Sequence, residues 1–81
     1  MNPRALNVKV KKPHTLIVSF DNGELKEFNL SPYLSYPVYE KLQDEVYFMK
    51  AHVKSGIVVW DDETDLDPDT LYLESQTLIL A

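Results

Sequence analysis

The sequence predicts an α+β fold: a small, mainly antiparallel sheet of about five strands built from two hairpins, with one or two short helices. Three observations predict it. Apolar residues alternate with period two in several segments, two glycine-containing turn signals separate such segments, and prolines stand where short helices begin. A chain of 81 residues has core enough for one domain, so residues 1–81 are assigned to a single domain.

The first part of the chain predicts a strand followed by a hairpin. Apolar and polar residues alternate over residues 6–10, and residues 15–20 are β-branched and aromatic. Asn22 and Gly23 then form a strong signal for a two-residue type I′ turn, which needs positive φ at both positions. Residues 24–30 are the predicted return strand.

The register of this hairpin predicts an irregularity in the return strand. With a two-residue loop, Phe28 lies opposite Ile17, and the apolar side chains of the two strands fall on different faces. One extra residue near Lys26 or Glu27 would place Phe28 beside Val18. We therefore predict a β-bulge there; a sheet covered on both faces is the alternative.

The middle of the chain predicts two short helices and the longest strand. Ser31 and Pro32 suit the cap and the first position of a single helical turn, and Pro37 begins a second helix that reaches Leu42. In residues 46–54, every second side chain would lie on the same side of an extended chain, so this segment is predicted to form the longest strand.

A second hairpin and a helix follow. Ser55 and Gly56 predict a two-residue turn that puts Val53 opposite Val58 on a strand of residues 57–60. The next signal is an Asp–Pro–Asp sequence at residues 67–69. It is typical of a helix start, because Asp accepts free amide protons and Pro fixes φ.

Composition disfavours several classes of function. The net charge is −5, whereas nucleic-acid binding depends on neutralising phosphates. Lys9, Lys11 and Lys12 form a local basic stretch that is interpreted as a solvated strand face. Cysteine is absent, which favours a reducing compartment, and no segment has the roughly 20 apolar residues of a membrane span. We expect a cytoplasmic protein that does not contact membranes.

No set of residues predicts catalysis or cofactor binding. A calcium loop beginning at Glu63 would place Glu74 at its twelfth position, but its sixth position would be Pro68 where the loop needs glycine. His14 and His52 lack neighbours at ligand spacing. The acidic cluster is better interpreted as turn and cap residues, without the sheltered pocket that acid–base catalysis needs. The expectation is no cofactor, no metal and no enzyme activity.

Aromatic and apolar residues are the candidate partner-binding groups. Tyr33 and Tyr36 lie around the short helices, and tyrosine is favoured in interfaces, although a core-and-rim role is the alternative. Leu78, Ile79 and Leu80 belong to an apolar tail, residues 76–81, that needs a partner. That partner is either a sheet edge of its own domain or another chain by strand addition, and both alternatives stay open.

The order of these motifs resembles a known family. The chain has an Asp–Asn–Gly turn, a Leu–Ser–Pro turn, a Pro–Val–Tyr helix start, a strand ending in tryptophan and an Asp–Leu–Asp–Pro–Asp helix start. This arrangement is similar to the domain of unknown function 2442 family of small bacterial proteins. Asp62–Glu63 departs from the Asn–Gly-type turn that this family commonly has. The matching residues are turn, cap and core positions: Asn22, Gly23, Pro32, Pro37, Trp60, Asp65, Pro68, Leu71 and Tyr72.

The resemblance implies a compact accessory module and brings no catalytic residue. Some members of that family are fused to a helix-turn-helix domain, and many are encoded beside another small protein, an arrangement that suggests a toxin–antitoxin-like pairing. We therefore expect a non-enzymatic protein-interaction module that binds a small protein partner or a second copy, including as an antitoxin-like member of a pair. The alternative is a nucleic-acid-linked transcriptional regulator or accessory domain that uses the face of Lys9, Lys11 and Lys12.

Overall fold

The computed structural model describes residues 2–61 and 63–79, and it confirms the predicted α+β class with antiparallel sheets. The strands are β1 Ala5–Lys11, β2 Thr15–Phe20, β3 Leu25–Asn29, β4 His52–Lys54, β5 Ile57–Asp61, β6 Thr64–Asp65 and β7 Gln76–Ile79. The α-helices are α1 Glu45–Phe48 and α2 Pro68–Glu74, and Ser31–Tyr33 and Pro37–Gln43 are 3-10 helices.

The strands form two sheets, where the sequence predicts one sheet of about five strands. The first has the order β1-β2-β3-β7 and the second β4-β5-β6. They meet where the Ala5 amide donates to the Gly56 carbonyl over 3.3 Å. Side chains from both sheets and from the helical segments share one core: Ala5, Leu16, Val18, Phe20, Phe28, Leu30, Leu42, Phe48, Val58, Trp60, Leu66 and Leu71.

The first hairpin turn has three residues, so the predicted two-residue type I′ turn is wrong. The Phe20 amide donates to the Glu24 carbonyl, and the Gly23 amide donates to the Phe20 carbonyl. Within the turn only Gly23 has positive φ, at +90°. The Asn22 side-chain oxygen accepts from the Glu24 amide over 3.0 Å, a local bond that favours this longer loop.

The third loop residue also sets the register of the strands, and the predicted β-bulge near Lys26 or Glu27 is wrong. β3 pairs with β2 without a break over Leu25–Asn29. Phe28 lies opposite Leu16, and both side chains are buried. The loop therefore brings the apolar side chains of the two strands to one face, and the same register directs Lys26 toward the core.

The predicted strand over residues 46–54 is wrong in its first part. Residues 45–48 form α1, and only His52–Lys54 are extended as β4. The Asp44 side chain caps α1 by accepting from the Val46 amide over 2.9 Å. The helix places Phe48 in the core and leaves Val46 and Met49 exposed, at 74% and 61% of their surfaces.

The second hairpin follows the sequence prediction. Val53 pairs with Val58 and His52 with Val59 across a two-residue turn. Ser55 and Gly56 both have positive φ, at +53° and +79°, as a type I′ turn requires.

The helical segments that the sequence predicts begin at their prolines, but one of the predicted capping residues is different. Asp67 accepts from the Thr70 amide over 2.9 Å at the start of α2, as the sequence predicts. The cap predicted for Ser31 is wrong, because the Asn29 side-chain oxygen accepts from the Ser31 amide instead. Asp62 lies outside the described residues, so its departure from the family's turn stays a sequence observation.

Candidate functional site

An aromatic series runs from the core to the surface beside the first 3-10 helix. The Phe28 and Tyr33 rings stack with centroids 5.5 Å apart, and Tyr33 meets Tyr36 edge-on at 5.9 Å. Phe28 is buried, Tyr33 is half-buried and Tyr36 is exposed. Because Phe28 is buried in the core, stacking on its ring fixes the orientation of the Tyr33 ring.

A pocket of about 280 Å³ joins this aromatic series to the last strand. Its lining residues include Glu27, Tyr33, Glu74 and Gln76. The structure thus brings together two regions that the sequence treats separately, the tyrosines and the apolar tail. Sequence reasoning missed the two glutamates, because only the pairing of β3 with β7 places them together.

The tail packs on its own sheet, which decides the alternative that the sequence leaves open. β7 pairs antiparallel with β3, through Glu27 with Gln76 and Lys26 with Thr77. It stands at the end of the strand order, so its other side faces away from the sheet. Leu78 is 50% exposed there. The Ile79 side chain and all of Leu80 lie outside the described part of the chain.

We call the group formed by the pocket glutamates, the two tyrosines and the exposed side of β7 the edge surface. Its residues are Glu27, Tyr33, Tyr36, Glu74, Gln76 and Leu78.

A buried polar network holds α2 and the following strand against the hairpin. The Lys26 ammonium donates to the Tyr72 carbonyl over 2.6 Å and lies 3.8 Å from the centroid of the Tyr72 ring. The Tyr72 hydroxyl donates to the Glu24 carboxylate. Because Lys26 and Glu24 are both buried and bonded, Tyr72 is held at its two ends, and β7 begins from a fixed position.

Hydrogen bonding inside this network displaces two pKa values. The bond from Tyr72, followed by one from Asn22, lowers the pKa of Glu24 below its usual value. The same bond to Glu24 raises the pKa of Tyr72. At neutral pH the network therefore contains a carboxylate and a neutral phenol, the arrangement that makes a charge-assisted hydrogen bond.

The remaining residues of the family motif lie in the turns, helix starts and core. Gly23 takes the positive φ of the first turn, and the prolines at 32, 37 and 68 stand in the first turns of helical segments. The Trp60 indole N–H donates to the Phe48 carbonyl over 2.9 Å, and Leu71 is buried. Asp65 is exposed and pairs with Val59 in the second sheet.

A second exposed apolar face, on α1, was missed by the sequence analysis. Val46 lies in this helix and Met49, three residues later, continues its helical backbone as the C-cap, so the two share one face. The signal that could have found the helix is Asp44 followed by Glu45, an N-cap and an acid in the first turn. The described residues include no group that covers this face.

The basic stretch and the histidines each have nearby protein groups. Lys11 lies 3.7 Å from Glu27 and Lys12 lies 3.8 Å from Glu45, so part of the basic face is already next to carboxylates. His14 meets the Phe48 ring edge-on at 5.1 Å, and is half-buried rather than on the surface.

Acidic side chains next to the second sheet line a further pocket. His52, Asp61 and Asp65 line a pocket of about 210 Å³. Among the described residues, no three His, Cys, Asp or Glu side chains form a group that could hold a metal ion. In the same residues, no helix is long and apolar enough to cross a membrane.

Comparison with known proteins agrees with the motif order. The model of the family described as "Protein of unknown function (DUF2442)" matches residues 5–77, which is most of the chain. The chain belongs to the DUF2442 family. No curated protein and no solved structure matched it.

Proposed function

We propose that this DUF2442 protein is a non-enzymatic protein-interaction module whose edge surface binds a small protein partner, in the manner of the antitoxin-like member of a pair. The observation that carries the proposal is the position of β7 at the end of the sheet, with its outer side unpaired within the described residues. An unpaired strand edge is a template for a strand of another chain.

The composition of β7 supports this role. Residues 76–79 are Gln, Thr, Leu and Ile, without a charged residue or a proline. Sheet edges that must stay unpaired are usually protected by Lys, Pro, a bulge or a covering segment. The ladder with β3 is irregular at Leu78, which lies between the partners of Leu25 and Lys26, and the outer side of β7 pairs with no strand among the described residues.

The pKa values of the carboxyl groups do not support a role in acid–base catalysis. A general acid or base works best with a pKa near the operating pH. Among the described residues, two carboxyl groups, those of Glu24 and Asp61, have displaced pKa values; both values are lowered, and both groups accept hydrogen bonds from tyrosine hydroxyls. Both stay ionised at neutral pH, where they act as structural acceptors.

The proposal is tested by affinity capture from the native host with the immobilised full chain and two variants. Leu78→Lys places an edge-protecting charge on β7. Leu6→Lys is the matched control, because Leu6 is 65% exposed on β1, at the other end of the four-stranded order. We expect one small protein to be retained by the wild type and by Leu6→Lys, and to be lost by Leu78→Lys.

Circular dichroism and thermal melting must show that both variants remain folded. Absence of any enriched protein, or equal retention by the two variants, contradicts the proposal.

A further inference from the structure

We infer that the edge surface selects a basic, extended segment of its partner and seats one arginine or lysine side chain in the pocket between Glu27 and Glu74. This inference rests on the proposed function and deepens it, because it states the chemistry of the partner.

The pocket lies where the pairing between β3 and β7 stops. The recorded pairs of β7 are with Leu25, Lys26 and Glu27, whereas β3 continues to Asn29. Asn29 and Gln76 both line the pocket, so its opening is adjacent to the first residue of the exposed strand. An extended segment lying along β7 would therefore pass beside this opening with one of its side chains.

One side of the pocket is suited to a flat cation. Tyr33 presents a half-buried ring whose position is fixed by stacking on the buried Phe28. Arginine and lysine are attracted to the face of such rings, and arginine also stacks on them through its planar guanidinium. Pro32 also lines the pocket, and its ring restricts the backbone next to Tyr33.

The charged side of the pocket is anionic. Glu27 and Glu74 come from different elements and both line it. Within the described residues, Glu74 makes no ion pair, and the half-buried Glu27 has a single contact of 3.7 Å with the exposed Lys11. Exposed pairs of this kind contribute little, so they are readily exchanged. A guanidinium entering from a partner can form charge-assisted, bidentate hydrogen bonds with a carboxylate.

Charge also favours a different protein over a second copy of this chain. Each chain carries a net charge of −5, and edge-to-edge pairing of two copies would bring two sets of Glu27 and Glu74 toward one another. Like charges across an interface oppose association, whereas a basic partner is attracted and steered to the site.

The test uses the full chain and two synthetic peptides that differ at one position. One is acetyl-Thr-Val-Arg-Val-Thr-amide, and the other carries citrulline, an uncharged analogue of similar shape, in place of arginine. Calorimetric titration and amide chemical shifts report affinity and position. We expect the arginine peptide to bind at least about tenfold more tightly, with shifts confined to β7, residues 27–33 and Glu74.

Three variants locate the effect. Glu74→Gln and Glu27→Gln should each weaken binding of the arginine peptide and leave the citrulline peptide unchanged. Glu40→Gln makes the same change in net charge on an exposed glutamate that lines a different pocket, and should have no effect.

Equal affinity for the two peptides, no binding of either, equal weakening by Glu40→Gln and Glu74→Gln, or shifts centred elsewhere would each overturn the inference. The proposed function fails separately, through the capture experiment with Leu78→Lys. If the partner is lost by Leu78→Lys but binds the pocket variants as well as it binds the wild type, the proposed interaction module stands. Only its preference for basic segments is then contradicted.

Discussion

The single tryptophan connects two distant parts of the chain through one hydrogen bond. Its indole N–H donates to the Phe48 carbonyl in the core, and the two rings lie 5.8 Å apart. Trp60→Phe keeps an aromatic ring but removes the shorter of two hydrogen bonds to that carbonyl, which still accepts from the Ala51 amide over 3.3 Å. We expect a loss of unfolding free energy of about 1–3 kcal/mol, from the lost hydrogen bond and the smaller ring together. Urea unfolding measures it.

The control for this substitution is Tyr36→Phe, which removes a polar atom from an exposed aromatic side chain. Its effect should stay within roughly 0.5 kcal/mol, as for most surface changes. Equal losses from the two variants would contradict the role of the indole hydrogen bond.

Asp61 makes part of the stability depend on pH. The hydrogen bond from the Tyr47 hydroxyl, followed by one from the Glu63 amide, lowers the pKa of Asp61 from its ordinary value of 3.8 to about 2. Because the folded-state pKa is the lower one, the stabilisation is complete above the unfolded value and is lost as pH falls from about 4 to about 2.

We therefore expect Asp61→Asn to unfold with a weaker dependence on pH between 4 and 2 than the wild type. Denaturant unfolding at several pH values in this window measures the slope, and the carboxyl carbon shift of Asp61 reports its pKa directly. A wild-type Asp61 that titrates near pH 4 would contradict the expectation.

Residues whose role is local could be predicted from the sequence, and residues whose role depends on tertiary contacts could not. Asp67 and the Ser55–Gly56 pair act within a few residues of themselves, so the pattern of side chains was sufficient. Lys26 points into the core because a loop three residues away has one residue more than predicted. Its partner, Tyr72, lies 46 residues further along the chain.

At the scale of elements, α1 is the clearest test of the fold, since the sequence predicts a strand there. Val46 is exposed on this helix, and alanine has a higher helix propensity than valine. Val46→Ala should therefore raise the unfolding free energy slightly, by up to roughly 0.5 kcal/mol. Chemical denaturation of the two proteins measures the difference.

Val53→Ala is the matched comparison. Val53 is half-buried in β4, where alanine loses packing and strand propensity, so this variant should be less stable than the wild type. A loss of stability in both variants would indicate that Val46 also lies in a strand, and would contradict α1.

The strand predicted over residues 46–54 is wrong at α1 because the sequence pattern there is compatible with both a strand and a helix. Residues 46–54 alternate well enough for a strand, and the helix is only four residues long, Glu45–Phe48. What favours the helix is the Asp44 cap together with the burial of Phe48, whose carbonyl receives the Trp60 donor. That last contact joins residues 12 positions apart and is not visible in local periodicity.

At the scale of the whole molecule, β7 completes the first sheet. A chain shortened to end at Ser75 would lose the pairing with β3 and the side-chain contacts of β7. With each backbone hydrogen bond contributing roughly 1 kcal/mol, we expect a loss of about 2–4 kcal/mol in unfolding free energy. Urea unfolding and light scattering of both lengths measure stability and solution mass.

Equal stability of the two lengths would mean that the tail does not belong to the fold. The shortened chain should also self-associate more readily, because β3 becomes the exposed edge strand.

The candidate site could be predicted only in pieces. Tyr33, Tyr36 and Leu78 were identified from residue type, whereas the pocket that links them to Glu27 and Glu74 needs the pairing of β3 with β7. Pairing between such distant segments depends on the complete fold. The α+β class was predictable, because period-two alternation and helix starts are local properties; the division into two sheets was not.

The pairing of β3 with β7 also affects the chain while it is being made. At roughly 5–20 residues per second, the 45 residues that separate Leu30 from Gln76 take about 2–9 s to translate. During that interval the nascent hairpin of β2 and β3 has an uncovered edge. Copies of this chain on the same messenger RNA carry the same uncovered edge, so the β3 edges of neighbouring nascent chains can pair with one another until each chain covers β3 with its own last residues.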